Sequence, residues 1–200
     1  ADRWTEDADL VFGATTRPRW AYGMSKAIDE YLALAQFRTH RLPVYIARFF
    51  NVFGPRQTGN YGMVLPRMVQ AALAGDPVIV HDDGRQVRCF AHVHDVVRAV
   101  DGLVNTPAAV GQVVNVGSDE PISIRDLGER VIARVAERFP QRPWAAITLQ
   151  SYAEAYSADF EDVRVRIPSL ARLKRLLPDY APAHTLDETI DQVIDGVAVT

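Results

Sequence analysis

The chain has 200 residues, nearly half of them apolar, with a formal charge of −3 and its acids and bases mixed along the length. That is enough to bury a substantial core as one domain or a large part of a bigger one. No basic stripe gathers phosphate backbones, so nucleic acid is not an expected partner. No apolar run approaches the ~20 residues that span a bilayer, and the single cysteine, Cys89, excludes an internal disulfide framework and fits a reducing compartment. A cytoplasmic location is the expectation, with no membrane partner.

Residues 1–19 carry acids, Gly13, Pro18 and threonines without sustained periodicity and read as a surface loop. Trp20 to Thr39 has the apolar spacing of a long helix, ended by Arg41-Leu42-Pro43. At its start Tyr22 and Lys26 stand four apart and share a face. A phenol ionises near ~10 in water, and a fixed neighbouring cation favours the phenolate, moving it toward the range of a useful base. The same spacing also arises on any amphipathic helix whose lysine reaches for water.

Val44 to Phe50 is a short, nearly continuous apolar run, as expected of a strand buried in a parallel sheet. Polar Asn51 follows at its carboxyl end, where open α/β sheets place ligands. Met63 to Ala74 reads as a helix stopped by Gly75-Asp76-Pro77, then Val78 to His81 as a strand, Asp82-Asp83-Gly84 as a turn, and Val87 to Val93 as extended chain. Asp95 to Val104 reads as a helix and Gln112 to Gly117 as a buried strand. Ser123 and Asp126 form a variant capping box opening a helix to about Arg138. Trp144 to Leu149 reads as a last strand, whereas Gln150 to Arg166 has no period and is long enough to suggest a functional loop. Thr185-Leu186-Asp187-Glu188 is a full capping box for a helix to about Asp195.

His92 and His94 lie two apart, which in an extended strand puts both on one face. No cysteine or carboxylate cluster at ligand spacing completes the pair, so no metal site is expected. Asp76, Asp82 and Asp83 read as turn residues, and Ser118 lacks the glycine pattern of a nucleophile elbow.

Four motifs in order carry a resemblance: Arg-Trp-x-Tyr-x-x-Ser-Lys at 19–26, Arg-x-Phe-Asn-x-x-Gly-Pro-Arg-Gln at 48–57, Gly-Arg-Gln-x-Arg-Cys-Phe-x-x-Val-x-Asp-Val-Val at 84–97, and Asn-Val-Gly-Ser at 115–118. The chain resembles the carboxyl-terminal two-thirds of an NAD-dependent nucleotide-sugar epimerase/dehydratase, an extended short-chain dehydrogenase/reductase of the UDP-glucose 4-epimerase type. The resemblance implies an α/β fold: part of a Rossmann-like doubly wound parallel sheet plus a smaller α/β substrate-binding domain. Residues 1–60 fall to the Rossmann-like part and 61–200 mainly to the substrate-binding region, with about 86–118 returning to the sheet.

It also implies roles. Tyr22 exchanges a proton with a sugar hydroxyl, Lys26 holds the nicotinamide ribose and favours the ionised phenol, and Phe49 lies near the nicotinamide of NAD. Asn51 and Arg88 hold the nucleotide diphosphate, Arg166 adds a second cation, and Val64, Ile79 and His81 flank the base and ribose. The implied reaction is UDP-hexose 4-epimerisation, with dehydration or UDP-glucuronate decarboxylation as alternatives, and binding of a nucleotide sugar without turnover as a reading of another class. A homodimer is implied for the complete protein.

The sequence departs from the family pattern at Ser169, where aspartate usually follows Pro168, and at His81, Asp82 and His94. It contains no Gly-x-x-Gly-x-x-Gly fingerprint. The family's catalytic Ser/Thr is expected roughly ten residues before Ala1. The expectation is therefore a fragment, or half of a split enzyme, inactive by itself.

Overall fold

The computed structural model describes residues 3–57, 63–155 and 162–198. Among the described residues, eight short strands and seven α-helices make up a mixed α/β chain. Helix α1, Arg19–His40, ends where Arg41 turns left-handed at φ 57° and donates its N–H to Phe37 O. Strand β1, Ile46–Phe49, follows and pairs in parallel with β6, Val113–Val116, matching Arg48 to Asn115 and Phe49 to Val116. A second parallel pair joins β2, Val52–Phe53, to β5, Ala91–His92. A third joins β3, Val78–His81, to β8, Ile147–Gln150. Strand β4, Val87–Cys89, pairs antiparallel with β7, Pro121–Ser123.

Two apolar clusters hold these elements. The larger packs α2, Val64–Ala74, α4, Ile124–Arg138, and α7, Leu186–Ala198, against β3 through Leu65, Val69, Val80, Leu127, Ile190 and Ile194. The alternation along β3 explains its place: Val78 and Val80 are buried, and Ile79 and His81 face the other way. The smaller cluster packs α3, Val93–Val104, and α6, Ala171–Leu176, on Val114 and Val116 of β6. Burying such side chains stabilises by ~1.5–3 kcal/mol each.

The helix ends follow the expected chemistry. Gly75 closes α2 at φ 77°, a backbone state glycine adopts without strain, with its N–H on Ala71 O and Ala72 O. Ser123 Oγ accepts from Asp126 N at 3.0 Å. Thr185 and Glu188 cap α7 reciprocally, Thr185 N donating to Glu188 Oε2 at 2.7 Å and Glu188 N to Thr185 Oγ1 at 3.2 Å. Between α4 and α7, Arg130, Arg134 and Arg138 face Asp187, Asp191 and Asp195, a ladder of ion pairs stepped every four residues on both helices.

Several sequence expectations are corrected. The opening residues are not all surface loop: Trp4 bridges to Pro168, and Glu6 is buried, its Oε1 accepting from Asn115 N at 2.9 Å. Strand β1 is half-buried rather than buried, with Phe49 58 % exposed, because β6 is its one strand neighbour among the described residues. Helix α3 begins at Val93, two residues early, because the His92 ring accepts from His94 N and caps it; His94 is therefore helical and does not share a strand face with His92. The last strand starts at Ile147, and α7 runs on to Ala198. Within the span read as one loop, Tyr152–Ala155 forms α5, and Val165 bridges Val87; its residues 156–161 lie outside the described ones. No described helix is long and apolar enough to cross a membrane.

Candidate active site

Helix α1 presents Tyr22 and Lys26 to solvent, Tyr22 being 74 % exposed. Ser25 Oγ donates to Tyr22 O at 2.8 Å. The Lys26 ammonium donates to Asp29 Oδ2 at 2.9 Å, and this bond is the main reason its pKa is raised, with a small attraction from Tyr22. The lysine is thus on the tyrosine's side of the helix and held by a carboxylate one turn on. Phe49 closes β1 with its ring open to solvent.

Two residues on, Asn51 takes a positive φ of 40° and uses both ends of its amide. Nδ2 donates to Cys89 O at 2.8 Å and Oδ1 accepts from Arg166 Nη2 at 2.5 Å. Arg166 is mostly buried, and its Nε has no hydrogen-bond partner among the described residues. Burial first, then the positive charge of Arg88, lowers its pKa; Asp162 opposes and Arg19 adds to the lowering. The influence of Arg19 ties the first turn of α1 to this cluster, and Tyr22 lies three residues further along the same helix.

Arg88, buried on β4, donates from Nη2 to both carboxylate oxygens of Asp162 at 3.0 Å. Tyr152 Oη donates to Asp162 Oδ2 at 2.6 Å and accepts from Gln86 Nε2 at 2.8 Å, while the same amide nitrogen donates to His81 O at 3.0 Å. Burial, reinforced by Asp162, raises the Tyr152 pKa and keeps it a neutral donor. His81 sits at the end of β3 beside the Tyr152 ring, its pKa lowered by burial and by Arg67. Ile79 is exposed on the same strand face, and Val64 opens α2 half-buried against the larger core.

The nine expected residues thus form three groups. Tyr22 and Lys26 are exposed on α1 and Phe49 is exposed at the end of β1, whereas Asn51, Arg88 and Arg166 converge beyond the carboxyl end of β1. His81 joins Arg88 through Gln86, Tyr152 and Asp162, whereas Ile79 and Val64 share its region without a polar link. Sequence reading missed Gln86, Tyr152 and Asp162. Gln86 stands inside the 84–97 motif, and Tyr152 and Asp162 lie in the 150–166 span read as a functional loop, where only the fold singles them out.

The paired guanidinium groups of Arg88 and Arg166 favour an anion. Guanidinium groups match phosphate oxygens in a way an ammonium cannot, and a buried donor left unmatched on Arg166 carries a desolvation cost of ~1–3 kcal/mol that an incoming acceptor removes.

Comparison with known proteins gives the family and the fold. The model of the NAD dependent epimerase/dehydratase family matches residues 5–117. A UDP-N-acetyl-alpha-D-glucosaminuronate decarboxylase from Bacillus cytotoxicus is 33 % identical over 193 residues, which is 94 % of this chain and 57 % of that protein. In fold, the chain is similar to a dTDP-glucose 4,6-dehydratase from Bacillus anthracis in complex with NAD, with a TM-score of 0.80 at 24 % identity. It is also similar to a UDP-glucuronic acid 4-epimerase from Bacillus cereus in complex with UDP-glucuronic acid and NAD, with a TM-score of 0.77 at 22 % identity. Each of these two structural matches covers 100 % of this chain and 57 % of the other, so the chain spans little more than half the length of the relatives it matches.

Proposed function

Because the chain belongs to the NAD dependent epimerase/dehydratase family, we propose that the complete protein transforms a nucleotide sugar by reversible oxidation of a sugar hydroxyl, with UDP-hexose 4-epimerisation as the reaction. The observation that carries the reading is the Asn51–Arg88–Arg166 cluster, with a buried guanidinium nitrogen lacking a partner among the described residues, beside a helix bearing Tyr22 and Lys26. The cluster supports a diphosphate ligand; the helix supports proton exchange with the sugar it carries.

NAD, when bound, supplies the hydride acceptor, and the family is NAD-dependent. Tyr22, Lys26 and Phe49 fit its nicotinamide end: the ammonium can donate to ribose hydroxyls, and the open Phe49 ring can cover one side of a flat heterocycle. Tyr22 takes the hydroxyl proton as the sugar is oxidised and returns one as it is reduced. Lys26 leaves Asp29 to hold the ribose and stabilise the phenolate. Arg88 and Arg166 hold the diphosphate, Asn51 orients Arg166, and Ile79, His81 and Val64 border the nucleoside. In this reading residues 1–60 serve the cofactor side and 61–200 mainly the substrate, the complete protein is a homodimer, and these 200 residues alone do not turn over.

Decarboxylation of a UDP-uronate is the second reading, favoured by the 33 % identical decarboxylase; it begins with the same oxidation. Binding without turnover is a reading of another class, and the observation on its side is that the Lys26 ammonium is engaged by Asp29. Assay of the complete protein with NAD on UDP-glucose and UDP-glucuronate separates the three: epimer without gas, release of carbon dioxide, or neither. Tyr22→Phe is expected to abolish whichever activity is found, and unchanged activity would overturn the catalytic assignment.

A further inference from the structure

We propose that His92, His94 and His184 form a binding site for a divalent transition-metal ion of the zinc class, clamping the start of α7 to the start of α3. The three rings come from separate places: the end of β5, the first turn of α3 and the segment leading into α7. One nitrogen from each lies within 4.8 Å of the other two. His92 and His184 stack at 3.8 Å between centroids and 18° between planes, and His94 stands edge-on to His92 at 4.9 Å.

The proton position of His184 suits ligation. His184 Nδ1 lies 3.2 Å from Asp95 Oδ2. An ionised carboxylate can only accept, so this nitrogen carries the hydrogen and Nε2 keeps its lone pair. Asp95 is buried and fixed by the N–H groups of Ala183 and His184 at 2.9 and 3.1 Å and by Arg98 at 3.2 Å. It is the outer partner that metal-binding histidines use to set tautomer and orientation. His92 Nε2 lies 3.0 Å from Gln192 Oε1 and donates to it, leaving the Nδ1 lone pair, which takes the 3.2 Å contact from His94 N. His184 thus has one nitrogen tied to an acceptor and the other basic, whereas His92 Nδ1 is engaged by His94 N, so an ion ligated there displaces that cap of α3.

Three imidazoles suit zinc, nickel, cobalt or copper and not magnesium or calcium. Bonds of ~2.0–2.1 Å place tetrahedral ligand nitrogens ~3.4 Å apart. The rings must pivot and give up their stack to reach that spacing, and the exposed His94 swings most freely. Since His92 is buried, His184 half-buried and His94 exposed, an ion enters from solvent and keeps its fourth position open to water. The ion stabilises the fold by binding it in preference to the unfolded chain. Neither Tyr22 nor Arg88 takes part.

The test is calorimetric titration of the tag-free complete protein with Zn²⁺ alone, beside cobalt(II) absorption spectra and thermal melts with Zn²⁺ or Mg²⁺. Saturable micromolar binding, tetrahedral cobalt bands and a Tm raised by Zn²⁺ but not Mg²⁺ are expected. His94→Ala, at the surface, should weaken binding by about 10–100-fold while melting normally without metal, and His40→Ala should leave it unchanged. Absence of saturable binding, equal binding by His94→Ala, or an equal loss in His40→Ala overturns the proposal.

Discussion

Arg88 spends its Nη2 donor on both carboxylate oxygens of Asp162, 74 residues away, at 3.0 Å each. If Arg88 holds a diphosphate, the carboxylate occupies the place of the phosphate and must be displaced. Asp162→Asn in the complete protein should therefore tighten UDP binding by about tenfold, the ~1.4 kcal/mol of one charge-assisted hydrogen bond. It should also lower Tm, because Arg88 is left buried and less well paired. Weaker UDP binding by this variant would instead make Asp162 a residue that orients Arg88.

The α4–α7 ladder predicts a pH dependence. Its hydrogen bond from Arg130 holds the Asp187 carboxyl below its ordinary value. A depressed carboxylate stabilises the fold above its unfolded pKa of ~3.9, and that contribution is lost as pH falls through the lower folded value. Asp187 is well exposed, so solvent screening limits the pair to about 0.2–1 kcal/mol. In urea melts, Asp187→Asn should cost about that much at pH 7 and nothing at pH 2, and the cost at pH 7 should shrink in high salt.

The features legible in the sequence were those set by neighbours along the chain. Tyr22 and Lys26 share a helix face by spacing alone, Thr185 and Glu188 cap by spacing alone, and Gly75 stops α2 by its own conformational freedom. Features set by distant partners were not legible. Glu6 is an acid among acids until the Asn115 N–H, 109 residues on, gives it a buried donor. His184 is a lone histidine until α7 packs and brings it onto His92. Strand β1 reads as buried because its residues are apolar, yet its exposure depends on which elements cover it. Short elements such as β7 and α6 are too brief for periodicity to register.

Cys89 is fully buried on β4, and burial pushes its thiol up to about 11. The thiolate that reacts with disulfide reagents is then scarce at neutral pH. A thiol-reactive dye should label the folded chain slowly and stoichiometrically only in denaturant. Rapid labelling without denaturant would show that β4 opens locally.

Met24, Ile28 and Tyr31 lie along one stripe of α1 with Leu32 beside them, and Ile28, Tyr31 and Leu32 are 51, 66 and 60 % exposed. Only Ala27 is buried on this helix, so 22 residues present a largely uncovered apolar surface of the kind that drives association. The 200-residue chain should elute larger than a monomer at micromolar concentration. Ile28→Lys with Leu32→Glu, an i,i+4 pair of opposite charges that suits a helix surface, should shift it to a monomer with unchanged far-ultraviolet circular dichroism. A sharp monomeric peak with cooperative melting for the unsubstituted chain would refute the prediction, because it would mean that α1 is stable in water with its apolar stripe exposed.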